Sequence, residues 1–225
     1  MEKINLGGFP FIIAFSGGCF SGKTSTMEAL KSVLEKEGYK VVIIGEAMRE
    51  TEAAKFGMSI DAIRQNANLY FKLQKEIIQK KLNQGYEAFN DGEPNTIYLF
   101  DRAITDSLFY YEFYVDKSKL DNKYEYFKFH EYLLDKVCSD LNQIDLLIEF
   151  KPLNNCDINT DKMRPAYLKQ VSYSEYICIS RLNYNYRRKD DRHGFMCINL
   201  NCEYYNNCVE QIINKIKEIC QAQGR

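Results

Sequence analysis

The chain contains only two histidines, His130 and His193, and none of its eight cysteines forms a C-x-x-C pair. Zinc sites need such ligands in close spacing, so a zinc centre is set aside and the thiols read as free and reduced. An excess of charge is also lacking: 30 Lys and Arg balance 31 Asp and Glu, for a net charge of −1. A broad polyanion-binding surface is therefore not expected, and a polynucleotide substrate would need a local basic patch with a salt-sensitive channel. No apolar run reaches membrane-spanning length, and the first residues lack the basic, apolar and small-residue triplet of a signal peptide. The expected setting is soluble and cytoplasmic, with no membrane partner. No repeat, low-complexity tract or interdomain linker interrupts the 225 residues. A chain of that length can bury a sufficient core without staples, so one domain over 1–225 is the economical expectation.

What is present begins with Phe9-Pro-Phe-Ile-Ile-Ala-Phe-Ser16, an apolar run that leads into Gly17-Gly-Cys-Phe-Ser-Gly22-Lys23-Thr24. This is a complete G-x-x-x-x-G-K-[ST] pattern in its confirming context, a strand before and a helix after. Gly17, Gly18 and Gly22 permit backbone conformations that a β-carbon resists, so successive N–H groups of the loop, through Cys19, Phe20 and Ser21, can converge on phosphate oxygens. The helix that follows presents amides without intrahelical acceptors at its positive end, which phosphates satisfy; Ser25 lies in that first turn. Lys23 is expected on the outer phosphates and Thr24 on Mg²⁺. A dinucleotide fingerprint is excluded, because Cys19 stands where G-x-G-x-x-G needs its second glycine.

Met27, Leu30, Val33 and Leu34 predict a helix over about 23–37, stopped by Gly38, and 39–44 is a short β-branched strand. Strand, loop, helix and strand open a parallel α/β sheet. Ser59 is placed to cap a helix marked by Ile60, Ile63, Ala67, Tyr70, Leu73 and Ile77 and ending at Asn83-Gln-Gly85. Asp91-Gly-Glu-Pro-Asn95 is turn chemistry that delivers a third strand, 96–100. An aromatic stretch from Leu108 to Phe127 follows, read as core packing, with helical spacing at Phe127, His130, Leu134, Val137 and Leu141. His130 on that stripe reads as a packed or capping residue and not a catalyst. Strand 144–150, a long polar loop 151–172, a helix 174–189, strand 195–200 and a final helix bearing Val209, Ile212, Ile213, Ile216 and Ile219 complete the chain.

Ligands of an open parallel sheet bind at the carboxyl ends of its strands, which selects the polar residues that end each apolar run. Glu46, with Arg49, follows the second strand and is placed to accept a proton from a substrate hydroxyl. Asp101 ends the third and is the expected second Mg²⁺ anchor; Arg102 beside it would clamp a phosphoryl group or fix Asp101. Thr105 and Asp106 read as the cap region of the next helix. Phosphoryl transfer demands positive charge from a closing segment, and Arg164 in the long loop is the candidate there. A GTP switch is disfavoured, since the third strand ends in Asp101-Arg-Ala-Ile104 and not in D-x-x-G, and Asn122-Lys-Tyr-Glu125 is a broken N-K-x-D.

Gly17–Thr24, Glu46-Ala-Met-Arg-Glu50 and Phe100-Asp-Arg-Ala-Ile-Thr-Asp106, in this order, resemble the P-loop AAA domain kinase-like family. That family includes the ribosylnicotinamide kinase domain of bacterial NAD regulators and is more distantly similar to deoxynucleoside and nucleotide kinases. The resemblance implies a three-layer fold, a five-stranded parallel sheet of order 2-3-1-4-5, and a lid over about 151–192 between strands four and five. It further implies adenine near Asn199–Glu203 and phosphoryl transfer from ATP or GTP with Mg²⁺. The lid motif is represented by Asp161-Lys-Met-Arg164. The expected function is Mg·ATP-dependent phosphorylation of a small metabolite, with a nucleoside or nucleotide favoured. The rival is a nucleotide-binding regulatory protein without an acceptor; a homodimer is compatible with either.

Overall fold

The computed structural model describes residues 4–18, 21–45, 47, 51, 57, 60–152, 166–187, 192–198 and 205–225. Glu46, Arg164, Cys19 and Phe20, the cap at Ser59 and the adenine segment Asn199–Glu203 lie outside the described residues. Five parallel strands form the sheet: β1 (Phe11–Ser16), β2 (Lys40–Ile44), β3 (Thr96–Asp101), β4 (Leu146–Phe150) and β5 (Gly194–Ile198). Their order is β2-β3-β1-β4-β5, as the resemblance implies. Three of these strands, β1, β3 and β4, are flanked by strands on both sides. β1 and β4 are buried on both faces, as in a sheet covered by helices on two sides, and β3 nearly so.

The helices are α1 (Lys23–Lys36), α2 (Ile60–Arg64), α3 (Ala67–Asn90), α4 (Ile104–Tyr114), α5 (Lys123–Leu141), α6 (Ala166–Tyr186) and α7 (Tyr205–Ala222). One core packs Phe11, Ile13 and Phe15 of β1 against α1 and the Val209–Ile219 stripe of α7, as the periodicity predicts. The other packs Ile12 and Ala14 against α3, α4 and α5. The alternation along β1 thus divides the molecule into two helical layers around the sheet. None of the helices, among the described residues, is long and apolar enough to cross a membrane.

Four sequence expectations are corrected. The helix expected from Ile60 to Gly85 is two: α2 stops at Arg64, and Asn66 caps α3 by accepting the Leu69 amide at 3.1 Å. α3 then runs through Gly85 to Asn90, because Gly85 serves a close approach and not a terminus. A β-carbon there would lie 2.7 Å from Asp140 Oδ1. The buried stripe of α5 is Tyr126, Phe129, Leu133, Val137 and Leu141, not one beginning at Phe127 and passing through His130 and Leu134; Phe127 is exposed. Finally, the polar stretch read as a loop to 172 turns helical at Ala166, and α6 ends at Tyr186. Within the described residues β4 begins at Leu146 and β5 at Gly194.

The aromatic stretch is only partly core: Phe109, Tyr111 and Tyr126 are buried, Tyr110 and Tyr114 half-buried, and Phe113, Tyr124 and Phe127 exposed. Tyr111 and Tyr126 stack at 4.7 Å between ring centroids with planes 3° apart, and His130 lies over both rings while bonding Glu112 at 2.7 Å. Burial holds the Tyr126 phenol up at about 12, so it is a neutral packing group. His130 is packed, as read from the sequence.

Candidate active site

Ser16 ends β1 and Gly17 turns the chain at φ 128°, where a β-carbon would meet the Phe150 carbonyl oxygen at 2.5 Å. Only glycine fits both conditions. Gly22, at φ 88°, forms the N-cap of α1 without a side-chain cap. Its carbonyl accepts the Thr26 amide at 3.0 Å, which leaves the amides of Thr24 and Ser25 with no acceptor inside the helix. That is an anion-binding helix terminus with its dipole aimed into the loop.

The Lys23 side chain is buried within the loop. Its ammonium donates to the carbonyls of Gly17 (2.9 Å) and Gly18 (2.7 Å) and to Ser21 Oγ (3.2 Å), while Ser21 Oγ donates to the Gly18 carbonyl. The lysine thus occupies the interior of the loop. Thr24 Oγ1 lies 3.5 Å from Asp101 Oδ2, so the hydroxyl after the loop and the carboxylate ending β3 converge as the sequence predicts. Among the described residues no group of three or more His, Cys, Asp or Glu side chains is disposed to hold a metal. One hydroxyl and one carboxylate fit Mg²⁺, which keeps waters and takes phosphate oxygens for its remaining positions.

Arg102 has an unusual backbone, φ 82°, immediately after the strand. Its amide still continues the sheet ladder to the Phe15 carbonyl at 2.9 Å, so the left-handed turn follows directly on the last β pairing. The guanidinium turns toward the loop and not toward Asp101: it lies 3.5 Å from Asp106 Oδ1 and from the Gly17 carbonyl, 3.4 Å from the Tyr110 hydroxyl, and over the Tyr110 ring. Of its two expected roles, fixing Asp101 is therefore not what the geometry provides.

Asp106 is a cap, as expected, and more. Its Oδ2 accepts the Ala103 amide at 3.2 Å, and Ala103 offers no reciprocal side-chain acceptor. The same carboxylate accepts Ser16 Oγ–H at 2.7 Å and the Gly17 amide at 3.0 Å, with Asp106 wholly buried. Asp106 therefore fixes the first turn of the phosphate loop from below. Sequence reasoning saw its capping position but not this contact, which spans 89 residues.

Two further functional-site neighbours were missed. Lys81, buried in α3, donates to the Asp101 carbonyl at 3.0 Å and lies over the Phe100 ring. It lines a cavity of about 10 Å³ together with Asp140, Gly85 and Arg102. Burial pushes the Lys81 ammonium down to about 8 and the Asp140 carboxyl up to about 7, each opposed by the other's charge. The second is Glu149, 2% exposed on β4 beside Ser16. A lone acid inside the apolar run Leu-Leu-Ile-Glu-Phe was the signal available for it.

Taken together, the sheet order, the loop fixed around Lys23, the open helix terminus and the Thr24–Asp101 pair define a P-loop nucleotide-binding domain. The model of the AAA domain family matches residues 12–179, well over half of the chain and reaching from β1 into α6. The chain belongs to that family. No curated protein matches it.

Proposed function

We propose that the protein is a Mg·ATP-dependent kinase that phosphorylates a small metabolite, with a nucleoside or nucleotide as the favoured acceptor. One observation carries the reading: Thr24 and Asp101 approach within 3.5 Å beside a buried Lys23, in a sheet of order β2-β3-β1-β4-β5. Phosphoryl transfer leaves the protein mainly the tasks of positioning and charge stabilisation, and these residues are of the kind those tasks need. In this reading Lys23 and the loop from Gly17 to Ser25 hold the donor phosphates, and Thr24 and Asp101 hold Mg²⁺. When bound, the ion supplies charge neutralisation on the phosphate oxygens. Arg102 reaches developing charge by leaving its contacts with the Gly17 carbonyl and Tyr110. Glu46 takes the acceptor hydroxyl and Arg164 closes over the transferred group. The likeness of these motifs to ribosylnicotinamide kinase domains favours a nucleoside acceptor.

The test is a thermal-shift panel of nucleosides, nucleotides and vitamins with Mg²⁺ and a non-hydrolysable ATP analogue, followed by transfer of labelled γ-phosphate to any ligand that stabilises the fold. An acceptor that takes label is expected, and Lys23→Ala should reduce its labelling on the order of 10²–10³-fold. Nucleotide binding with no labelled product from any member of the panel would replace the kinase by the regulatory reading. Equal labelling by Lys23→Ala and wild type would end the assignment of these residues.

A further inference from the structure

Beneath the phosphate loop lies a buried chain of hydrogen bonds that reaches the loop at the Gly17 amide. Asp106 accepts from the Gly17 amide and from Ser16 Oγ. Ser16 Oγ in turn accepts from Asn183 Nδ2 at 2.9 Å, and the same amide nitrogen donates to Glu149 Oε2 at 3.1 Å. Thr105 Oγ1 donates to Asn183 Oδ1. Ser16, Thr105, Asp106 and Asn183 are all 0% exposed.

The direction of every bond is forced. Carboxylates stand at both ends and only accept, so Ser16 uses its single proton on Asp106 and must accept from Asn183. Asn183 then places both amide protons, on Ser16 and on Glu149, and keeps its carbonyl for Thr105. Each member fits one arrangement, and a shift of any of them strands a buried polar group. The Gly17 end has no freedom to absorb such a shift, because its φ and the Phe150 carbonyl fix it.

Asn183 enters this chain from α6. Among the described side chains of that helix Glu175, Ile179 and Asn183 are buried, Leu182 and Tyr186 pack against the core, and Tyr173, Ile177 and Tyr184 are exposed. A wholly buried polar side chain is thus one of the contacts that seat this helix. The loop needs α6 seated to keep its shape, and α6 needs the shaped loop to satisfy Asn183.

We infer that Asn183 is a positioning residue that couples nucleotide occupancy of the phosphate loop to the seating of α6. A ligand that binds the shaped loop must favour the seated helix, and by linkage the seated helix raises affinity for that ligand by the same factor. The inference rests on nucleotide binding alone and not on the kinase reading. A protein that binds nucleotide and phosphorylates nothing leaves it intact.

The experiment uses the full chain, titrated with the β,γ-imido triphosphates of adenosine and guanosine in the presence of Mg²⁺. Calorimetry is paired with amide hydrogen exchange. Wild type should bind at least one analogue and gain protection in both α1 and α6. Asn183→Leu should bind about tenfold more weakly, within the usual range of coupling factors. At saturating analogue it should still protect α1 but no longer α6. A merely structural role would lower the melting temperature without changing affinity measured well below it. Unchanged affinity in Asn183→Leu, or α6 exchange that ignores the analogue in wild type, would overturn the inference. Should Asn183→Leu not fold, Thr105→Val removes one bond at nearly constant volume. A several-fold loss of affinity is expected there too, and no loss would overturn the inference. Failure of wild type to bind either analogue would overturn it together with the nucleotide-binding reading.

Discussion

At the scale of single residues, the site is built on backbone conformations that side chains normally avoid. Arg102 holds φ 82°, a left-handed geometry that costs a residue with a β-carbon about 1–2 kcal/mol. Its guanidinium contacts with Gly17, Asp106 and Tyr110, at 3.4–3.5 Å, are long. Strain retained at the end of β3, next to the candidate metal anchor Asp101, is the pattern of a position selected for what it does there. Arg102→Gly should therefore be more stable than Arg102→Ala by about 1 kcal/mol in denaturant titration, the reverse of the usual order of these two residues. Under the proposed function both variants should lose phosphoryl transfer alike, since both lack the guanidinium. Gly17 is the opposite case, a glycine with two reasons to be one. Gly17→Ala adds about 1–3 kcal/mol of dihedral strain and a clash with the Phe150 carbonyl, so the expected result is a lower melting temperature together with loss of nucleotide binding in calorimetry.

At the scale of elements, α3 and α5 meet where a helix glycine makes room for a carboxyl group. Replacing a mid-helix glycine by alanine ordinarily stabilises by about 1 kcal/mol. Gly85→Ala should gain that amount only in an Asp140→Ala background, because in the wild type the new methyl displaces the Asp140 carboxyl from its place beside Gly85. The double-mutant cycle of the two positions should be clearly non-additive. The pH dependence of the same contact follows from the two shifts. Between 3.8 and about 7 the folded state holds a proton on Asp140 that the unfolded state has released, so this carboxyl makes stability fall as pH rises through that window. Between about 8 and 10.5 the unfolded state holds a proton on Lys81 that the folded state has released, so stability rises with pH there. Asp140→Asn should flatten the lower limb relative to wild type, and Lys81→Met the upper one, in stability curves taken across pH. This contact also marks where the sequence stopped being legible. The βαβ order, the loop and the place of Asp101 beside it were readable because they rest on local pattern: an apolar run, a glycine spacing, an acid at a strand end. Lys81, Asp140, Glu149 and Asn183 were not. Each is a polar residue on a helix or strand whose partner lies far along the chain, as with Asn183 and Ser16 across 167 residues, and periodicity carries no information about such pairs. Gly85 shows the same limit, since a glycine that ends a helix and one that admits a neighbour look identical in sequence.

At the scale of the whole molecule, the two ends of the sheet have divided roles. The carboxyl ends of β1 and β3 carry the loop, Asp101 and Arg102, with strained backbone and an open helix terminus. The amino ends are closed by Asp145, just before β4. Asp145 Oδ2 accepts the Ile12 amide at 2.8 Å, and Oδ1 accepts from Gln223 at 2.8 Å and from Arg225 at 3.3 Å, both beyond the end of α7. Arg225 also donates to the Pro10 carbonyl, so one carboxylate ties β1, β4 and the helix that covers them. Burial raises the Asp145 carboxyl above its usual range, and the Ile12 and Gln223 donors and the Arg225 charge oppose that rise, which keeps an acceptor where three donors converge. Removing it leaves the buried Ile12 amide without its side-chain acceptor and the Arg225 charge without its partner, an expected loss of about 3 kcal/mol. The phosphate loop lies at the opposite ends of the same strands, and among the described residues it shares no hydrogen bond or ion pair with Asp145. Asp145→Ala should therefore lower the denaturant midpoint and melting temperature substantially, while nucleotide affinity measured well below the transition stays within about twofold of wild type, as expected for separated sites with no common partner. A parallel fall in affinity would mean that the two ends of the sheet are not energetically separate.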